Sequence, residues 1–238
     1  GCALNSSANN FLISEKSLFE NIFIPFAPGD NGGAIGAALI AATKYNTEFK
    51  NLKSPYLGVD YSVEDIDSTL KKINKSNILK YDLINDNDEL NNKVSSLIAD
   101  SKVVGWFQNK MEFGPRALGN RSIIGDPRSP KMQKTLNLKI KYRESFRPFA
   151  PSVLREDVSD WFELNCDSPY MLLVADIKKE KQVKMSIKDE NLFGIEKLNV
   201  KRSNIPAVTH VDYSARVQTV HKNTNPRYYD LIKEFKNI

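Results

Sequence analysis

The sequence predicts a mixed α/β (α+β) fold. Residues 62–108 alternate helical and strand-like patterns, a Gly-rich turn at 26–33 leads into a small-residue helix, and one apolar stripe runs through 226–236. Helices interleaved with strands of this length pack as layers around a sheet. At 238 residues the chain accommodates one large domain, or a domain with a fragment. The break is expected in 46–61, which has Ser-Pro, Gly and no periodicity. Placing it near Ser54 gives a fragment, 1–54, and a domain, 55–238. Hydrophobic content of 41% and charged content of 26% are ordinary for a globular chain. No run of about 18 apolar residues is present to span a bilayer.

In chain order, 1–5 and 20–26 are short apolar runs bounded by Asn, Pro and Gly and read as strands. A polar turn at Ser6–Asn10 and a strand at Phe11–Ser14 separate them. A helix follows at about Ala34–Lys44, with Ile35, Ala38, Leu39 and Ala42 in helical spacing. Such a turn delivering a helix N-terminus suits an anion, and a tight loop carrying a packed helix is the plain alternative. Ser62 and Asp65 approximate a capping box for a helix with Ile66, Leu70 and Ile73 on one face. A strand is expected at Ile78–Ile84, a helix capped near Asp86, and a buried strand at Lys102–Gln108. A helix is then expected from Ser129 or Pro130 to Lys139, with an extended segment after it. Residues 152–176 read as a strand, a helix near Asp157–Phe162 and a strand opened at Ser168–Met171. The lysine-rich stretch 178–204 reads as a long, partly mobile insertion. The helix Pro226–Lys236 has Pro in its first turn and Tyr228, Leu231, Ile232 and Phe235 on one stripe.

The opening GCALNSSANN has neither the basic nor the apolar region of a signal peptide and lacks an initiator Met. The chain is therefore read as the C-terminal portion of a longer protein. Cys2 and Cys166 have no metal-type spacing and no CxxC partner, so reduced, packed thiols and a cytoplasmic location are expected.

Charge is concentrated in one place. Lys110–Arg147 holds ten Lys/Arg and three Asp/Glu, against a net charge of +5 for the whole chain. Arg116, Arg121, Arg128 and Arg147 sit beside Gly or Pro, which let the backbone approach a ligand and fix the turn that presents the side chain. Arginine's planar fork suits bidentate phosphate contacts. Phe113, Leu118, Ile123, Ile124, Phe146 and Phe149 are interleaved with these charges, which favours a semi-buried phosphate site over a solvated basic face.

The segments EFGPRALGNRS (112–122), KYRESFRPFAP (141–151), IPAVTHVDYSARVQTV (205–220) and NPRYYDLIKEF (225–235) resemble the signature of the O-carbamoyltransferases related to NodU, TobZ and CmcH. FAPGDNGGAIGAA (26–38) is similar to the preceding domain of the same proteins. The resemblance implies a last-lobe fragment of an actin/Hsp70-like nucleotide-binding domain, then a YrdC-like twisted mixed sheet with a basic cleft. It implies that Lys141, Arg143 and Arg147, helped by Arg116 and Arg121, grip the phosphates of carbamoyl phosphate and ATP. It places Gly29, Asp30, Gly32 and Gly33 against a nucleotide, with Asn5 and Asn9 bordering that pocket. Asp30 resembles a ligand of a divalent metal (Fe, Mg or Mn), whose other ligands, a His-x-x-x-His, are expected upstream of this chain. One carboxylate does not make a tight metal site.

His210, Asp212 and Arg216, with Ser214 and Gln218, fall on one face if 205–220 is a continuous strand. A structural hydrogen-bonding histidine is the plain alternative. Tyr213 stands where the family commonly has glycine. Glu144 is expected to pair with a neighbouring arginine. The implied reaction is ATP-dependent O-carbamoyl transfer through a carbamoyl-adenylate to an acceptor hydroxyl, with the upstream domain of the same protein completing the enzyme. A basic RNA- or tRNA-binding module is the alternative, disfavoured because the aromatics sit in apolar runs. The sequence leaves the acceptor, the metal's identity and a homodimeric state open.

Overall fold

A computed structural model of the chain describes residues 1–13, 19, 21–47, 52, 54–74 and 80–238. It begins with a 3-10 turn, Cys2–Leu4, and helix α1, Ser6–Ile13. Asn5 Oδ1 accepts from Ala8 N at 3.0 Å and caps α1, so the expected polar turn at Ser6–Asn10 is a helix start. This corrects the strands expected at 1–5 and 11–13; Ser14 lies outside the described residues. Residues 21–26 form no strand either, and Glu20 lies outside the described residues. Apolar runs this short fit helix, strand or coil, and tertiary packing decides between them.

Helix α2, Asp30–Lys44, starts four residues earlier than the spacing suggested. Helix α3, Val63–Ile73, carries the expected capping box, with Ser62 and Asp65 each accepting from the other's backbone. The strand expected at 78–84 is not formed over 80–84, and 78–79 lie outside the described residues. Helix α4, Asn87–Ala99, is N-capped by Asp86, which accepts from Asp88 N and Glu89 N, both at 2.8 Å.

Strand β1, Val104–Phe107, pairs antiparallel with β2, Arg121–Ile124, setting Val104 opposite Ile124. The expected buried strand is instead a half-covered ribbon: Trp106 is buried while Phe107 is 60% exposed. Helix α5, Met132–Thr135, runs into a π-turn, Leu136–Ile140, closed by Lys141 N to Leu136 O at 2.9 Å. Strand β3, Ser152–Leu154, and the short α6, Val158–Trp161, precede β4, Leu173–Asp176.

The stretch 178–204 holds α7, Ile187–Glu190, and α8, Ile195–Leu198, and is anchored where it returns. Gln182 bridges Ser203, and the buried Arg202 donates to the carbonyls of Lys197 and of Val200, the latter at 3.1 Å. The expected long insertion thus carries two short helices and is tied down where it returns.

Strand β5, Ser214–Val220, lies between β3 and β4, parallel to β3 and antiparallel to β4. Helix α9, Pro226–Lys236, closes the chain over the expected residues, with Asn225 as its cap.

Two cores meet at β5. Val158, Phe162, Leu173, Ile177 and Val217 fill one, under the three-stranded sheet. Val94, Ile98, Trp106, Val220, Tyr228 and Leu231 fill the other, between α4, α9 and the β1–β2 ribbon. The N-terminal segment packs onto this body: Phe26 meets the Tyr170 ring edge-on at 5.8 Å, and the buried Asn9 donates Nδ2 to Leu172 O at 2.9 Å. Both cysteines are free, with Cys2 exposed rather than packed. Among the described residues no helix is long and apolar enough to cross a membrane.

His210 and Asp212 precede β5 in a turn whose next residue, Tyr213, has φ +65°. This corrects the continuous strand expected over 205–220: Tyr213 takes a positive φ that breaks the alternation before Ser214. Asp212 Oδ1 accepts from Ser214 N at 3.1 Å and Ser214 Oγ at 2.6 Å, and His210 Nδ1 lies 3.0 Å from that hydroxyl. These bonds tie the turn to the strand.

Gly119 has φ +107°, and a Cβ there would lie 2.3 Å from Cδ1 of the buried Tyr228 ring. Gly119→Ala should lower unfolding stability by at least about 2 kcal/mol in urea; an unchanged midpoint would contradict the packing. Burial pushes the His210 imidazole below its ordinary pKa of 6.5. As pH falls through about 6.5, the unfolded chain takes up a proton that folded His210 refuses, so stability declines. Urea midpoints between pH 7.5 and 5.5 should show this decline, and His210→Gln should flatten it.

Candidate active site

The site is built on a buried carboxylate. Glu112 Oε1 accepts from the backbone N of Leu118 at 2.7 Å, Asn120 at 2.8 Å and Arg121 at 3.3 Å. The chain from Phe113 to Arg121 therefore winds around one anion, and charge-assisted bonds fix its shape. Gly114 makes the wrap sterically feasible: at φ +142° a Cβ would lie 2.7 Å from Phe26 O. Amides lock the loop to its surroundings. Gln218 on β5 donates to Leu118 O at 3.0 Å and accepts from Ser152 at 2.7 Å. Gln108 donates to Asn120 and Asn225 at 2.9 and 2.8 Å, and Tyr56 donates its hydroxyl to Leu118 O at 3.0 Å.

The loop places Arg116 over a cavity of about 680 Å³, which Lys141, Arg143, Arg147 and Arg216 also line. Arg216 projects from the middle of β5. The other three come from the loop after the π-turn, where Tyr142 turns the chain at φ +48°. Apolar side chains, including Met132, Leu136, Phe149, Leu231 and Phe235, form the rest of the wall.

The electrostatics are unbalanced. Burial pushes the Arg216 guanidinium down to about 10, and the neighbouring Arg116 and Arg143 charges push the same way. Burial also lowers Arg116. The Nε atoms of Arg116 and Arg216 are buried without a hydrogen-bond partner. Among the described residues no carboxylate pairs with Arg116, Lys141, Arg143 or Arg216. Asp126 also borders the cavity, but Arg128 Nε occupies it at 3.0 and 3.1 Å. Arg147 pairs with Glu144 at 2.9 Å, the expected partnership, and both side chains are about half exposed. Clustered, partly desolvated like charges are unfavourable until an anion joins them.

Arg121 differs from the others. Its guanidinium donates to the carbonyls of Gln108 at 2.5 Å, Asn120 and Asn109 at 2.9 Å, and Val59 at 3.3 Å. It also stacks 3.5 Å from the Phe107 centroid. Although it borders the cavity, its Nη donors go to main-chain carbonyls of Gln108, Asn109, Asn120 and Val59.

The remaining candidates lie outside the lining of this cavity. His210 and Asp212 hold the turn before β5. Asn5 caps α1, and Asn9 donates to Ala3 O at 2.8 Å as well as to Leu172 O. Gly29 caps α2, Asp30 is exposed in its first turn, and Gly33 faces open space. Gly32 is sterically required, since a Cβ would fall 2.0 Å from Ala27 O. Among the described residues no three metal-ligating side chains gather, at Asp30 or elsewhere. Glu112, Gln133 and Asn137 also shape the site and are not among the residues the sequence points to, whereas Gln218 is, through its place in the row with Arg216. The four-residue spacing of Gln133 and Asn137 on one helical face was the available signal.

Residues 95–238 match the family described as "Carbamoyltransferase C-terminus", and residues 1–39 match "Carbamoyltransferase N-terminus". An uncharacterized protein of Synechocystis sp. is 54% identical over all of this chain and 39% of its own length. The 3'-hydroxymethylcephem-O-carbamoyltransferase of Amycolatopsis lactamdurans is 31% identical over 99% of this chain and 38% of its own. Nodulation protein U of Sinorhizobium fredii is 31% identical over the whole chain and 36% of its own. The chain thus spans less than two fifths of each of these relatives. It belongs to the carbamoyltransferase family, most of it to the family's C-terminal domain with a short piece of the N-terminal one.

Proposed function

We propose that this chain carries the ATP- and carbamoyl-phosphate-binding part of an O-carbamoyltransferase. The supporting observation is the pair of partly buried arginines, Arg116 and Arg216, whose buried Nε atoms lack partners at a cavity with no free carboxylate among the described residues. A polyphosphate supplies the missing negative charge and accepts those hydrogen bonds.

In this reading, carbamoyl phosphate is hydrolysed to carbamate and phosphate. A carbamate oxygen then attacks the α-phosphorus of ATP, the bond to the bridging oxygen breaks, and pyrophosphate leaves with carbamoyl-adenylate formed. Arg116, Arg143 and Arg216 hold the two anions together against their repulsion and stabilise charge growing on the leaving group. Lys141 and Arg147, at the rim, draw phosphates inward. No side-chain nucleophile is required; orientation and electrostatics carry the step. An acceptor hydroxyl later attacks the carbamoyl carbon and AMP leaves. That step belongs to the 1–54 fragment and its upstream domain, with the divalent metal supplied there. The boundary near Ser54, the actin-like and YrdC-like assignments and the hydroxyl acceptor belong to the same proposal. A concave, half-open cluster of charge with partly apolar walls suits a small polyanion better than an RNA surface.

Carbamoyl-phosphate-dependent ATP–pyrophosphate exchange tests the reading. Arg216→Ala and Arg116→Ala should each lower exchange by at least ~100-fold in a folded protein, the scale of a lost transition-state donor. Arg147→Ala should do the same if the rim arginine stays on the phosphates in the transition state. Unchanged exchange in the Arg216 variant would remove the cavity from the chemistry. Steeply salt-dependent RNA binding without saturable ATP binding would favour the nucleic-acid alternative.

A further inference from the structure

We propose that Asn137 is a positioning residue of the phosphate site, setting the direction in which Arg143 presents its guanidinium without touching the ligand. The inference rests on the phosphate-binding reading above.

Asn137 is fully buried in the π-turn that follows α5. Its Oδ1 accepts from Arg143 Nε at 2.6 Å, and its backbone oxygen accepts from Arg143 N at 3.0 Å. Its Nδ2 donates to Ser145 O at 3.0 Å and Arg147 O at 2.9 Å. One side chain thus uses its acceptor on an arginine head and both donors on the loop that carries it. Aspartate lacks the donors, and leucine of similar volume lacks both. Gln133, one helical turn earlier, donates to Phe146 O at 3.1 Å and Arg147 O at 3.2 Å, so two amides hold the same strap.

The consequence for Arg143 is geometric. With Nε bound to Asn137 and the Phe149 ring 5.0 Å from the guanidinium carbon, the plane of the head is fixed. Its two Nη groups form no hydrogen bond among the described residues, and the side chain lines the cavity beside Arg116 and Arg216. An arginine anchored through Nε offers its outer pair of N–H groups as a preset fork, which saves the ordering cost of gripping a phosphate. The π-turn adds a residue per turn, and such turns recur at functional sites. Here it places Asn137 beneath the loop it holds.

The test is a thermodynamic cycle with inorganic pyrophosphate as the probe, followed by calorimetry on the purified chain. Asn137→Ser should weaken pyrophosphate binding about tenfold, the scale of a lost bond to a charged group. In an Arg143→Ala background the same substitution should change affinity less than about twofold, because its effect passes through Arg143. Independent losses that multiply in the double variant would reduce Asn137 to a structural amide and overturn the proposal. Should the Ser variant fail to fold, side-chain NMR of 15N-arginine decides in the unmutated chain. Arg143 Nε–H should be protected from exchange before pyrophosphate is added, and exchange as fast as in an exposed arginine overturns the proposal. Failure of the unmutated chain to bind pyrophosphate would instead remove the phosphate reading, and this inference with it.

Discussion

The carboxylate of Glu112 organises the loop on which the cavity depends. A buried anion is costly unless charge-assisted donors surround it. Here three backbone N–H groups do so, and they come from the segment that follows the acid in sequence. The loop can close in this way only because Gly114 and Gly119 take backbone conformations and close approaches denied to other residues. Once closed, it turns Leu118 O toward Tyr56 and Gln218, which ties the loop to β5. Arg116 and Arg216, distant in sequence, become neighbours through that connection. The glycines, the acid and the amides therefore form one unit, which sets where Arg116 lies relative to Arg216.

Against this settled frame the cavity itself is electrostatically strained. Arg143 is held by an amide, Arg147 by Glu144, and Arg121 by carbonyls, whereas Arg116 and Arg216 face the cavity with unpartnered Nε atoms. Folding stability would favour replacing one of them by an apolar side chain of similar volume. Retaining both makes sense if binding an anion recovers what folding forgoes, a common trade between stability and activity. The same reasoning covers the partly apolar wall: low polarity around the arginines would strengthen their attraction for any anion that enters.

Much of this architecture was legible in the sequence, for reasons that differ by element. The capping box at Ser62–Asp65, the Asp86 cap and the stripe of α9 are local signals, and local chemistry sets those ends. The basic stretch was legible because breakers and apolar residues lay among its charges, and the structure gathers Arg116, Lys141, Arg143 and Arg147 on one cavity. The N-terminal runs were ambiguous: GCALN and ENIFIPF are too short for periodicity to separate strand from helix or coil. Arg121 looks like Arg116 in its local sequence, and only the tertiary structure brings the carbonyls of Gln108 and Asn109 to its Nη donors. The turn at His210–Tyr213 was hidden because a tyrosine takes φ +65° there, so two-residue alternation extended the strand too far.

The most direct test of the proposal that the cavity holds a polyanion compares Arg216→Met with the unmutated chain by thermal unfolding. Each is measured with and without saturating pyrophosphate. Relief of the buried charge should leave the variant at least as stable as the parent without the anion, while abolishing most of the stabilisation that pyrophosphate confers. A variant that is markedly less stable without pyrophosphate, yet gains as much from it as the parent, would show that Arg216 serves the fold and not the ligand.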